Sequence, residues 1–293
     1  MVSIMLFHQP WLTFVPFNLF RMFGHFGVDI FFFLSGFGIV YSLRKNSSTL
    51  QFYKRRLHRL LPLCVVCGSI KFALSKTGFV DASVSKLTIV GLDLWFLCVL
   101  WFCYLFSPYI LKLADRFKVK LLLLSIVLSC IVISPQLADY LHIYVKWGFA
   151  RLPVFVLGVL IASKNMSVSK DNCHWGIIFM LLACLFRLGF LVKIIPASYD
   201  LYNYPILLMG VCSLCWWAIE ILKFIIKLDF LKKGLTYVGK HSLEFYLWHE
   251  YIYQAVKIDQ PIIAFIVAML VSVFAVVMTD ELFKRIHFIG VVK

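Results

Sequence analysis

Of 293 residues, 62% are hydrophobic and only 15% are charged, whereas an ordinary soluble domain is nearer half apolar and one quarter charged. A mean hydropathy of +0.91 therefore excludes a water-soluble globular fold, and the continuous apolar runs lack the alternation of a membrane β-barrel. The formal net charge of +15 would suit nucleic acid, but the Lys and Arg residues fall in alternate short connections between apolar runs, which is a topology pattern, so nucleic-acid binding is set aside.

The hydropathy pattern predicts an all-α, polytopic transmembrane helix bundle of about ten spans, forming one membrane domain over residues 1–293. The chain opens with MVSIMLFHQPW, already inside an apolar run. The stretch before Pro10 falls well short of the roughly 20 residues that a bilayer crossing requires, so the first span reads as truncated. No basic leader and Ala-x-Ala site mark a cleavable signal peptide. Residues 9–24 form a Pro- and aromatic-rich outer loop.

The second predicted span, His25–Leu43, carries Asp29. An ionisable group is costly at that depth and is a functional candidate by default. Arg44 and Lys45 mark its exit. After a polar turn, Phe52–Leu61 reads as a basic interfacial helix between the second and third spans. At about 100° per residue Tyr53, Leu57, Leu60 and Leu61 share one face, Lys54, Arg55, His58 and Arg59 the other, with Arg56 at the edge. Such a helix buries its apolar side among headgroups. Its basic side fits either of two partners: anionic membrane lipid, or a phosphate-bearing cytosolic ligand whose oxygens match guanidinium forks.

The remaining spans are predicted at Leu60–Lys76, Asp93–Ala114, Val119–Ser134, Trp147–Ser163, His174–Ile195, Leu201–Lys227, Ser242–Val256 and Pro261–Phe283. Trp95 and Tyr104 suit interfacial anchoring or packing. Arg151 falls near the outer part of the sixth span, where it either snorkels or faces a polar cavity. Placing the connections near residues 50, 116, 167 and 232 and the C-terminus in the cytoplasm collects most of the 29 basic residues there, as the positive-inside rule requires. Lys71 is counted at an outer end.

The nine cysteines include Cys64/Cys67 and Cys212/Cys215 at CxxC spacing. Both pairs lie in predicted spans without nearby zinc-type ligands, so they read as small buried apolar residues, and no metal site is expected. Of the eight histidines, His58, His174, His241 and His287 fall at predicted interfaces and His142 in a loop. His8, His25 and His249 lie in or beside spans. A lone helical histidine is more often a packing residue than a catalyst; for His249, with Glu250 beside it, both readings stand. A histidine near its ordinary pKa suits proton transfer near neutrality.

The blocks GVDIFFFLSGF and FYKRRLHRLLP, in that order and at that spacing, resemble the acyltransferase-3 family of integral membrane acyltransferases. The likeness extends along nearly the whole chain. DLWFLCVLWFCYLFSP resembles the family's Trp-Phe-Leu block. FARLPVFVLGVLIA resembles its Arg-x-x-x-Phe-x-x-Gly segment through Arg151, Phe155 and Gly158. SLEFYLWHEYIYQAV resembles its Ser-x-x-x-Tyr-Leu-x-His block through Ser242, Tyr246, Leu247 and His249. Phe7-His8 resembles the end of the family's first helix, whose Arg-Gly pair has no counterpart here.

The resemblance implies about ten helices in the inner (plasma) membrane of a bacterium; the distribution of Lys and Arg predicts a cytoplasmic C-terminus. It also implies transfer of an acyl group, often acetyl, from acyl-CoA to a hydroxyl of a cell-envelope or exported polysaccharide sugar. On that expectation Arg55, Arg56 and Arg59 bind coenzyme A, and His8, supported by Asp29, activates the acceptor or relays the acyl group. Arg151 stabilises negative charge or the acceptor, and His249 belongs to the site. Two alternatives stand: an inactive, N-terminally truncated relative, or a transporter or flippase of a lipid-linked glycan in which Asp29, Arg151, Arg187 and Glu220 line a polar pathway.

Overall fold

The computed structural model describes residues 24–45, 48–77, 95–134, 137, 143–164, 227–255 and 261–291, with short pieces of 177–196. Every regular element among them is an α-helix. In chain order these are α1 (Gly24–Lys45), α2 (Thr49–Lys76), α3 (Trp95–Phe117), α4 (Val119–Val132), α5 (Ile143–Ala162), α6 (Asp229–Lys240), α7 (Ser242–Ala255) and α8 (Pro261–Val291). Five of them, α1, α2, α3, α5 and α8, hold segments long and apolar enough to cross a bilayer. With exposed Leu, Ile, Val and Phe along most of these helices, the protein is integral to a membrane. The predicted first and eighth spans and most of the seventh lie outside the described residues, as do Arg187 and Glu220.

The chain divides into two compact units. The larger comprises Val28–Arg59 and Leu94–Phe224; the smaller comprises Met1–Gly27, Leu60–Asp93 and Ile225–Lys293.

In the larger unit α1, α3 and α5 run in the same direction. Near their starts, Phe31 and Phe32 pack edge-on against Phe96, Trp95 packs against Trp147, and Asp29 meets Arg151. Toward the other end of α1 and α3, Arg44 reaches Asp115 at 3.5 Å. Three helices with one sense need a return crossing between each, and α2 and α4 occupy those places in the chain. The described order thus agrees with the alternation that hydropathy predicts.

α1 and α5 touch backbone to backbone. A Cβ on Gly36 would collide with the carbonyl of Phe155, and one on Gly158 with the carbonyl of Phe33. Helices in lipid, which gain little from burying apolar surface against one another, associate through such small residues. Gly158, three positions after Phe155, is thus one of the two contact points of the crossing. α4 joins through Ser129, whose hydroxyl lies 2.7 Å from the Ser125 carbonyl and 2.5 Å from that of Phe149 on α5. Between α3 and α4 the chain turns at Lys118, which has φ 49°, a backbone conformation natural to glycine.

One sequence expectation changes. The basic interfacial segment and the third span are a single helix, α2, that runs through Pro62. Pro62 withholds the N–H that the His58 carbonyl would accept, a defect that membrane helices tolerate where other groups re-satisfy the backbone. Its packed side also differs from the predicted one: Phe52 and Leu60 are buried and Arg56 is half-buried, while Leu57 is 46% exposed.

The smaller unit contains a helix that the sequence analysis left as a lysine-rich connection, α6. Phe230, Leu235 and Val238 lie on one side of it and are exposed; Lys232, Lys233 and Lys240 lie on the other. α7 and α8 pack against each other, with the Trp248 indole N–H donating to the Thr279 hydroxyl at 2.9 Å.

Candidate active site

Asp29 and Arg151, 122 positions apart in sequence, come together. Arg151 Nε lies 3.5 Å from Asp29 Oδ1, with both side chains about 98–99% buried. The reason is local to each helix. Each residue sits seven positions before the glycine at which its own helix meets the other, Gly36 or Gly158. Seven residues are about two turns, so both side chains return to the same shared face.

Trp95 of α3 completes the centre. Its ring lies 4.5 Å from the Arg151 guanidinium carbon and packs edge-on against Trp147 at 4.9 Å. Arg151 Nη1 also donates to the Trp147 carbonyl at 3.4 Å. A desolvated guanidinium on an indole face gains about 2 kcal/mol. Neither oxygen of Asp29 has a hydrogen-bond donor among the described residues. A buried carboxylate with unmet lone pairs is costly, which fits a group kept to accept an N–H or O–H.

The three arginines of α2 separate into two environments. Arg55 and Arg59 are exposed, and Arg55 donates to the Ser42 carbonyl at 3.1 Å. Arg56 turns inward, its guanidinium 5.4 Å from the Phe52 ring and 5.1 Å from that of Tyr104. Tyr53 ties the same turn to α3, donating to the Leu105 carbonyl at 2.6 Å. Along α3, Tyr104 lies about 14 Å beyond Trp95 at the helical rise of about 1.5 Å per residue. One helix therefore carries a basic, aromatic-lined station near its middle and the Asp29–Arg151 centre at its start.

In the smaller unit His249 is buried. Its Nδ1 lies 3.0 Å from the Phe245 carbonyl, which can only accept, so the neutral ring carries its proton on Nδ1 and presents Nε2 as the basic nitrogen. The edge of Tyr246 packs on it at 5.3 Å. His8 lies outside the described residues.

Several features escaped the sequence analysis. Trp95 and Tyr104, expected to anchor or pack, pack on the guanidinium groups of Arg151 and Arg56. His241, expected at a solvated interface, is buried, with Nδ1 3.5 Å from Glu244 and Nε2 3.8 Å from Asp280. Lys71, expected at an outer end, is 5% exposed.

No curated protein and no solved structure matches the chain. The profile of a family described as an acyltransferase domain matches residues 1–280, and thus covers the Asp29–Arg151 centre, the α2 arginines and His249. The chain belongs to the acyltransferase-3 family of membrane acyltransferases.

Proposed function

We propose that the protein moves an acyl group from acyl-CoA to a hydroxyl of a cell-envelope or exported polysaccharide sugar, with the donor entering from the cytoplasm. The observation that carries this reading is the buried Asp29 carboxylate, its oxygens unmet by described donors and the Arg151 guanidinium at its side. Acyl transfer needs a base for the acceptor's proton and positive charge for the developing oxyanion.

Arg55, Arg56 and Arg59 hold the phosphates of coenzyme A, and Arg56 is pre-set by the rings of Phe52 and Tyr104. The pantetheine arm covers the remaining distance along α3. The acceptor oxygen attacks the thioester carbonyl carbon while His8, oriented by Asp29, takes the hydroxyl proton. Arg151 stabilises the oxyanion. The carbon–sulfur bond then breaks, the ester leaves on the sugar, and the thiolate of coenzyme A recovers a proton. The place of His249 in this reading rests on the family's Ser-x-x-x-Tyr-Leu-x-His block alone. The role of His8 rests on the family resemblance, and orientation in an inner membrane with a cytoplasmic C-terminus rests on the distribution of lysine and arginine.

The test uses the purified full-length protein in lipid nanodiscs with acetyl-CoA and a polysaccharide acceptor. Release of free coenzyme A should be lost in Arg151→Ala and His8→Ala and weakened in donor affinity in Arg56→Ala. Wild-type rates in all three variants would remove the mechanism. A carrier of lipid-linked glycan would bind no acyl-CoA at all.

A further inference from the structure

Between α3 and α5 lies an apolar cleft of about 190 Å³, walled by Cys98, Val99 and Cys103 on one side and Gly148, Phe149 and Leu152 on the other. It adjoins the centre just described. Cys98 and Val99 follow Trp95 by one turn, Gly148 directly follows Trp147, and Leu152 directly follows Arg151. Gly148 keeps it open, since a Cβ there would come within 3.1 Å of Val99 Cγ2. A larger side chain enters the cleft or displaces Val99.

We infer that this cleft receives the hydrocarbon tail of the donor's acyl group, so that the enzyme takes acyl chains of about six carbons in preference to acetyl. The inference rests on the acyl-transfer reading above. Size supports it: apolar cavities of about 150 Å³ hold a benzene-sized guest of six carbons and stay dry when empty. Position supports it too. A carbonyl beside Arg151 leaves its chain to run along α3, past the Trp95–Trp147 pair and away from the charged groups. The cleft opens sideways past Phe102 and Val145, which are 49% and 41% exposed. A membrane lipid's tail has access to the same mouth, but its much greater length overfills the space.

Cys98 supplies a reporter. In nanodisc-embedded full-length protein, its alkylation by a small apolar thiol reagent is followed by peptide mass mapping. Saturating hexanoyl-CoA should slow it by roughly tenfold, as expected when ligand and reagent exclude each other. Acetyl-CoA and coenzyme A at their own saturating concentrations should leave it unchanged. Gly148→Leu should weaken hexanoyl-CoA binding on the order of tenfold, the worth of about two buried methylenes, with acetyl-CoA unaffected. Cys98→Phe provides the same comparison should Gly148→Leu fail to fold.

The inference is overturned if bound hexanoyl-CoA leaves Cys98 fully reactive, or if both variants weaken the two thioesters equally. It is also overturned if protection follows the phospholipid content of the disc instead of the thioester, which assigns the cleft to a lipid tail. Absence of binding by any thioester is a separate result, and sinks the acyl-transfer reading itself.

Discussion

Asp29 meets Arg151 at 3.5 Å because α1 and α5 run the same way and touch backbone to backbone at Gly36 and Gly158, two turns further on. The charged pair is therefore a consequence of the crossing. Its geometry depends on residues that carry no chemistry of their own.

Gly36→Val and Gly158→Val should each destabilise the protein by about 3 kcal/mol, the upper part of the range for overpacking. Both should lose activity although neither touches Asp29 or Arg151. Thermal unfolding in detergent, paired with donor turnover, checks this. An unchanged melting temperature in both would remove the crossing from the account.

Removing one charge of the pair should be worse than removing both. Asp29→Leu or Arg151→Met alone leaves a buried charge and costs about 3–5 kcal/mol, whereas the double variant should be near neutral in stability. All three should be inactive. A stable double variant with wild-type turnover would make the pair purely structural.

Arg56 and Arg59 should respond differently to lysine. Arg56→Lys keeps the charge but loses the planar stack on Phe52 and Tyr104, about 1–2 kcal/mol. It should raise the Kd for acyl-CoA by roughly tenfold. Arg59 is exposed, so Arg59→Lys should change little at physiological salt. Titration calorimetry on the two variants distinguishes the inward station from the outward one, and equal effects would contradict it.

Lys118 holds φ 49° at the α3–α4 turn. Lys118→Gly should raise stability by about 1 kcal/mol, because a β-carbon is strained there and glycine's is absent. A drop in melting temperature would show that the lysine side chain contributes more than its backbone costs.

Much of the fold was legible in the sequence, since hydropathy is local. The second, fourth and sixth predicted spans correspond to α1, α3 and α5 with ends shifted by a few residues. Two errors have physical causes. Phe52–Leu61 and Leu60–Lys76 read as two elements, yet α2 runs through both and through Pro62. The lysines and two glycines of α6 hid an apolar stripe of Phe230, Leu235 and Val238, which share one side of the helix. In the site, Asp29 and Arg151 were each legible as costly intramembrane charges. Their pairing was not, because nothing local links positions 122 apart; only the shared seven-residue step to a glycine hinted at it. Arg56 was placed at the edge of its helix from angular position alone, which carries no information about the ring of Tyr104.

The common direction of α1, α3 and α5 has an electrostatic consequence. Every helix ends in aligned peptide dipoles equivalent to about half a positive charge at its N-terminus. Three such ends lie on the side where Asp29, Trp95 and Arg151 gather. The α3 end lies at the centre itself, since Trp95 is its first residue, and its partial positive charge is fixed by the backbone. It persists whichever side chain is substituted and favours whatever anion forms at that end.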